Sequence, residues 1–179
     1  MDTIILREKD FIDGVYCGKE DLTNIKGNLK IEKTGWCRFE TYIFAKGYIS
    51  AEGYISAKGN IFAEGDIFAK GNISAQGGIS AQGYISAEGG ILKATYGITA
   101  GLKIYAKTTI ECGMRIFAGT SPWNWVTKEH REIKCGKLLS GKVAYGDLIE
   151  TGLPEDDEVS KALQLLEEKG VLVSGKIIK

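Results

Sequence analysis

His130 is the one histidine of the chain, in the run Val126-Thr127-Lys128-Glu129-His130-Arg131-Glu132. Imidazole is the side chain best suited to take and return a proton at neutral pH. Its four charged neighbours, Lys128, Glu129, Arg131 and Glu132, instead point to a solvated surface histidine. The other reactive residues are four cysteines, Cys17, Cys37, Cys112 and Cys135. None belongs to a Cys-x-x-Cys pair, and these spacings with a single histidine do not suit a zinc site. They read as reduced thiols of a cytosolic protein. The glycine-rich stretch is not a phosphate loop, because it lacks a Gly-Lys-Ser/Thr ending and a strand–loop–helix context. No catalytic residue, cofactor or metal is assigned, and the expectation is a non-enzymatic protein.

The remaining totals narrow the partners. Lys and Arg number 23, as do Asp and Glu, so the formal charge is zero. A balanced chain lacks the basic excess that drives counterion release from nucleic acid. The start, Met1-Asp2-Thr3-Ile4-Ile5-Leu6-Arg7, has no secretory pattern, and no apolar run reaches the ~18 residues of a membrane span. A cytoplasmic protein with protein partners and neither nucleic acid nor membrane is the expectation. Glycine is the outlying number at 24 residues, well above its usual ~7% share.

Those glycines are ordered in a repeat. From Ile43 to Gly90 the chain repeats Ile-x-Ala-x-Gly-x eight times without a break. A six-residue period points to a β-helix. Side chains alternate across a strand, so Ile, Ala and Gly share one face and the variable residues the other. Coiling the ribbon buries its apolar face against itself, each coil covering the next. Charge sets the coil size, since like charges stacked ~4.8 Å apart are destabilising. Two or four hexads per coil would put Lys46 over Lys58 or over Lys70. Three hexads put Lys46 over Glu64, Glu52 over Lys70 and Lys58 over Gln76. The spacing therefore predicts a three-sided coil of about 18 residues.

One inserted residue near Lys93 shifts the phase. Inward positions then run through Ile98, Ala100, Leu102, Ile104, Ala106, Thr108, Ile110, Cys112, Met114, Ile116 and Ala118. Upstream, Ile25, Gly27, Leu29, Ile31, Cys37, Phe39 and Thr41 read as degenerate inward positions. The solenoid is expected over 24–119, about five coils. Exposed strand edges at its ends call for covers. Residues 1–23 are the expected N-terminal cap, and 120–179 a small α+β end domain. Pro154 followed by four acids, then Val159, Ala162, Leu163 and Leu166 in one stripe, predicts an amphipathic helix near 155–169.

The Gly-x-Ile-x-Ala run resembles the hexapeptide-repeat solenoids. It is similar to the bactofilins, which share the alternating Gly/Ile/Ala interior and polymerise end to end into filaments. It also resembles the left-handed β-helix acyltransferases, which share the three-hexad coil and use one histidine as general base. Here Ala takes the second inward position of each hexad. His130 lies outside the coils, and the repeat has no long excursion to build a substrate pocket. The tail resembles uncharacterised solenoids of bacterial and mobile-element origin.

Stacking by 18 arranges the outward residues in columns. Phe44–Phe62–Ser80, Ser50–Phe68–Ser86 and Ser56–Ser74–Leu92 run up the three sides. Tyr48–Asp66–Tyr84, Tyr54–Asn72–Gly90 and Asn60–Gly78 run up the corners. Aromatics gather on two sides, and the third is small and polar. Exposed aromatic ladders stabilise stacked strands or mark a partner surface. The partner-binding candidates are Phe44, Phe62, Phe68, Tyr48, Tyr54 and Tyr84, with Trp123 and Trp125 at the end of the repeat. The expected function is a scaffold or protein-binding module, self-associating as a homo-oligomer. The alternatives are a bactofilin-like filament, a mobile-element inhibitor of a host defence protein, and a hexapeptide-repeat acyltransferase based on His130.

Overall fold

Each Ile-x-Ala triplet forms a three-residue strand, such as Ile43–Ala45, Ile49–Ala51, Ile61–Ala63 and Ile67–Ala69. In a computed structural model, which describes residues 2–122, 126–153, 172–173 and 176–177, these strands coil into a three-sided parallel β-solenoid of about seven turns. Each strand pairs with the third strand on, in exact alignment of its repeat: Ile49 with Ile67, Ile55 with Ile73 and Ile61 with Ile79. The repeat isoleucines are 0–1% exposed and the alanines 0–3%. A fully buried aliphatic side chain contributes roughly 1.5–3 kcal/mol of transfer free energy, so this inner column is the main stabilising element.

The corners explain the glycine. A Cβ on Gly47 would lie 1.9 Å from Asn28 Oδ1, on Gly83 1.9 Å from Asp66 Oδ1, and on Gly77 2.1 Å from Asn60 Oδ1. Those side chains occupy the corner because each accepts a backbone N–H of the next coil. Asn28 accepts from Tyr48 (3.1 Å), Asn60 from Gly78 (2.7 Å), Asp66 from Tyr84 (2.7 Å) and Asn72 from Ile91 (2.8 Å). The corner amides, which cannot join the strand ladders, thus find acceptors.

The inserted residue falls in the Gly89-Gly90-Ile91 corner. Ile73 pairs with Leu92, and the offset returns to 18 where Leu92 pairs with Ile110. Gly90, at φ 149, takes a backbone conformation that favours glycine. Leu92 therefore points inward and Lys93 stacks outward on Ser74, which corrects the expected Ser56–Ser74–Leu92 column. Two expected inward residues are also outside. Met114 is 60% exposed and Thr41 is exposed, because each sits where the chain turns a corner.

The stack continues beyond 24–119 in both directions. Thr3–Leu6 pairs with Asn28–Ile31, which pairs with Ile49–Ala51. The long strand Glu132–Tyr145 pairs with Ile104–Phe117, and Asp147–Glu150 pairs with Glu132–Cys135 above it. One face is consequently eight strands deep. In the first layers a hairpin of Phe11–Ile12 and Val15–Tyr16 brings Phe11, Tyr16 and Phe39 together, with centroids 5.7–5.9 Å apart. Leu172–Val173 pairs antiparallel with Lys176–Ile177. Trp123, Trp125 and the helix expected near 155–169 lie outside the described residues.

Candidate functional site: the aromatic faces

Alternation along each triplet sends its middle residue outward, and the 18-residue coil lines these residues up. On one face Phe44 stacks on Phe62 at 5.0 Å with rings 3° apart, followed by Ser80, Thr99, Phe117 and Tyr145. On the next face Phe68 lies between Ser50 and Ser86, followed by Tyr105. The third face carries Arg38, Ser56, Ser74, Lys93 and Glu111. The aromatic sides and the polar side are thus distinct.

Tyr48 and Tyr84 stand at the corner between the Phe44 and Phe68 faces, 40% and 39% exposed. Asp66 lies between them. Tyr54, at the next corner, stacks on Trp36 at 4.9 Å. Sequence reasoning passed over Trp36, which is 60% exposed, because it precedes the regular repeat. The structure therefore brings Phe44, Phe62, Tyr48, Tyr84 and Phe68 around one edge of the rod, while Tyr54 faces another corner with Trp36.

Charged residues sort the same faces differently. Lys58 pairs with Glu40 and Lys70 with Glu52, each one coil apart. On the Phe44 face Lys46 and Glu64 are equally stacked, since Ala45 pairs with Ala63. Both are exposed, and no ion pair joins them among the described residues.

The reactive residues are placed otherwise. His130 Nδ1 accepts the Thr127 amide (3.1 Å) and lies 2.8 Å from the Thr127 hydroxyl, within a short 3-10 turn over Lys128–Arg131. Nearby clefts of about 370 and 430 Å³ are lined by Thr127, Lys128 and Arg131, and by Glu129, Glu132 and Asp147. Cys37, Cys112 and Cys135 are buried and Cys17 is exposed. Burial pushes the Cys37 thiol up to about 11 and the Cys135 thiol up to about 12, and raises that of Cys112. Such thiols are poor nucleophiles and poor metal ligands near neutrality. Among the described residues no helix is long and apolar enough to cross a membrane, and no cluster of His, Cys, Asp or Glu could hold a metal ion.

Compared with other proteins, the chain has no match among family models, curated proteins or solved structures.

Proposed function

We propose that the protein is a non-enzymatic scaffold, a rigid rod that binds protein and self-associates through its aromatic-bearing surface. The observation that supports this reading is the Phe44–Phe62 ladder on an outer face, flanked by Tyr48 and Tyr84. The partly buried Phe44 and Phe62 rings and the exposed Tyr48 and Tyr84 keep apolar area in water, and covering it recovers about 25 cal/mol per Å². A solenoid suits the role, because each coil is held by its neighbours and its side faces are left free. His130 engaged in its own turn is consistent with a structural residue. In this reading the protein works in the cytosol with its thiols reduced.

Light scattering over a wide concentration series tests the proposal. A closed oligomer that dissociates on dilution supports it. A monomer at every concentration overturns self-association. Mass growing without limit moves the bactofilin-like filament to first place.

A further inference from the structure

We infer that the partner on the Phe44 face is a second copy of this chain, docked antiparallel about a two-fold axis. The inference rests on the self-association proposed above and names its geometry. It starts from two adjacent coils with register Ile43 to Ile61, Phe44 to Phe62 and Ala45 to Ala63. The lower coil carries Phe44, Lys46 and Tyr48 outward, and the upper carries Phe62, Glu64 and Asp66. Place the two-fold axis along the strand direction, midway between these coils. The lower row of one copy then faces the upper row of the other. Phe44 meets Phe62 of the second copy, Lys46 meets Glu64, and the Tyr48 hydroxyl meets the Asp66 carboxylate. An interface of this kind is isologous, so each contact occurs twice.

Charge singles out this face. Glu52–Lys70 and Glu40–Lys58 already satisfy one another within the chain on the other two faces. Lys46 and Glu64 have no ion-pair partner among the described residues, although they occupy the same stacked positions. Asp66 spends Oδ1 on the Tyr84 amide, leaving its second oxygen for an outside donor. A parallel pair of rods would put Phe44 on its own copy and carry the two lysines to opposite sides, so the charges would not meet. Only the antiparallel arrangement joins them.

Size sets the strength. Four overlapping coils at ~4.8 Å, each about 20 Å wide, give about 400 Å² per partner, which falls below the ~1,200 Å² total of stable specific interfaces and within the weak, transient class. The pair is therefore reversible, with a dissociation constant of about micromolar or weaker.

The test is a set of charge reversals in the full chain, followed by sedimentation or light scattering, with circular dichroism to show that each variant folds. Lys46→Glu sets Glu against Glu64 of the second copy, and Glu64→Lys sets Lys against Lys46. Each should weaken the dimer about tenfold or more, because like charges at a contact are strongly unfavourable. An equimolar mixture of the two variants should restore a heterodimer. The double variant K46E/E64K should restore a homodimer. A wild-type dimer indifferent to both reversals, or variants that fail to complement each other, overturns this pairing while leaving self-association standing. A wild-type chain that never dimerises removes the underlying reading itself.

Discussion

Lys70 Nζ lies 2.6 Å from Glu52 Oε2, and the two are neighbours only because a coil holds 18 residues. Both side chains are well exposed, at 57% and 39%. Such pairs are worth about 0–1 kcal/mol. Lys70→Gln should therefore cost less than about 0.5 kcal/mol. Ile67, three residues earlier, is 0% exposed. Ile67→Asp would bury an unpaired carboxylate at a cost of several kcal/mol, comparable to a whole domain's stability. Thermal melts by circular dichroism should show a near-wild-type curve for the first variant and no cooperative transition for the second. The reverse ranking would exchange the inner and outer faces.

Gly101 is a sharper test of coil contact. A Cβ there would lie 1.8 Å from the Gln82 carbonyl oxygen, a backbone atom with no room to retreat. Gly101→Ala should cost about 3 kcal/mol. Gly97→Ala, with its nearest atom 3.3 Å away, should cost about 1 kcal/mol or less. Urea titrations of the two variants will order them, and equal midpoints would contradict the packing described.

Thr109 predicts a gain. Its hydroxyl is buried without a hydrogen-bond partner. An orphaned buried hydroxyl carries a penalty of about 1–3 kcal/mol, which an apolar group of the same shape avoids. Thr109→Val should raise the melting temperature by about 2–4 °C for each kcal/mol recovered. A lower melting temperature would mean that the hydroxyl has a partner in solution.

The raised thiols give a pH dependence with a definite sign. Cys135 ionises near 12 in the folded chain and Cys37 near 11, against 9.0 for a free thiol. Between those values the folded state holds protons that the unfolded state has lost, so stability falls as pH rises. Their contribution is constant below pH 9 and decays toward pH 11–12. Chemical denaturation from pH 7 to 10 should show this decline, and Cys135→Ala should make it shallower. Because thiolates are the reactive form, brief iodoacetamide treatment at pH 8 should modify Cys17 well before Cys37 or Cys135. Mass spectrometry showing equal labelling would refute the assigned burial.

His130→Ala removes the acceptor of the Thr127 amide. The loss should be about 0.5–1.5 kcal/mol of stability with self-association unchanged. A variant that folds normally but loses its cellular activity would revive the transferase alternative.

The repeat was legible because its period imposes one structure. Ile, Ala and Gly can share the inside of a narrow coil, and Lys46 over Glu64 selects three hexads over two. The upper layers were not legible for an equally physical reason. Glu132–Tyr145 pairs with Ile104–Phe117 through four register shifts, so Ile133, Leu138 and Val143 fall out of hexad phase. At the other end, Ile4, Ile5 and Leu6 lie in one short strand, and a single strand carries no period in the sequence to tie it to the stack. The corner acceptors carry a signal of their own in the sequence. Asn60, Asp66 and Asn72 occupy the sixth hexad position in three successive repeats, where a turn-favouring side chain can reach the backbone. On the candidate surface, Phe44, Phe62 and Phe68 followed from alternation alone. Trp36 required knowing that it stacks on Tyr54 from outside the perfect copies.

The 18-residue offset between stacked strands of the regular region makes the length of this rod quantised. Adding or deleting 18 residues in the regular region, where Ile49, Ile67 and Ile85 align, changes the height by one strand spacing and leaves every face in phase. Adding a single hexad instead rotates everything above it by one third of a turn and scrambles the Phe44 column. The single extra residue at Gly89-Gly90-Ile91 is absorbed at a corner without such a rotation, since Ile79 still meets Ile98 and Ile85 still meets Ile104. The molecule is in that sense a ruler with whole coils as its divisions, and its height can be adjusted by duplication without redesigning its surfaces.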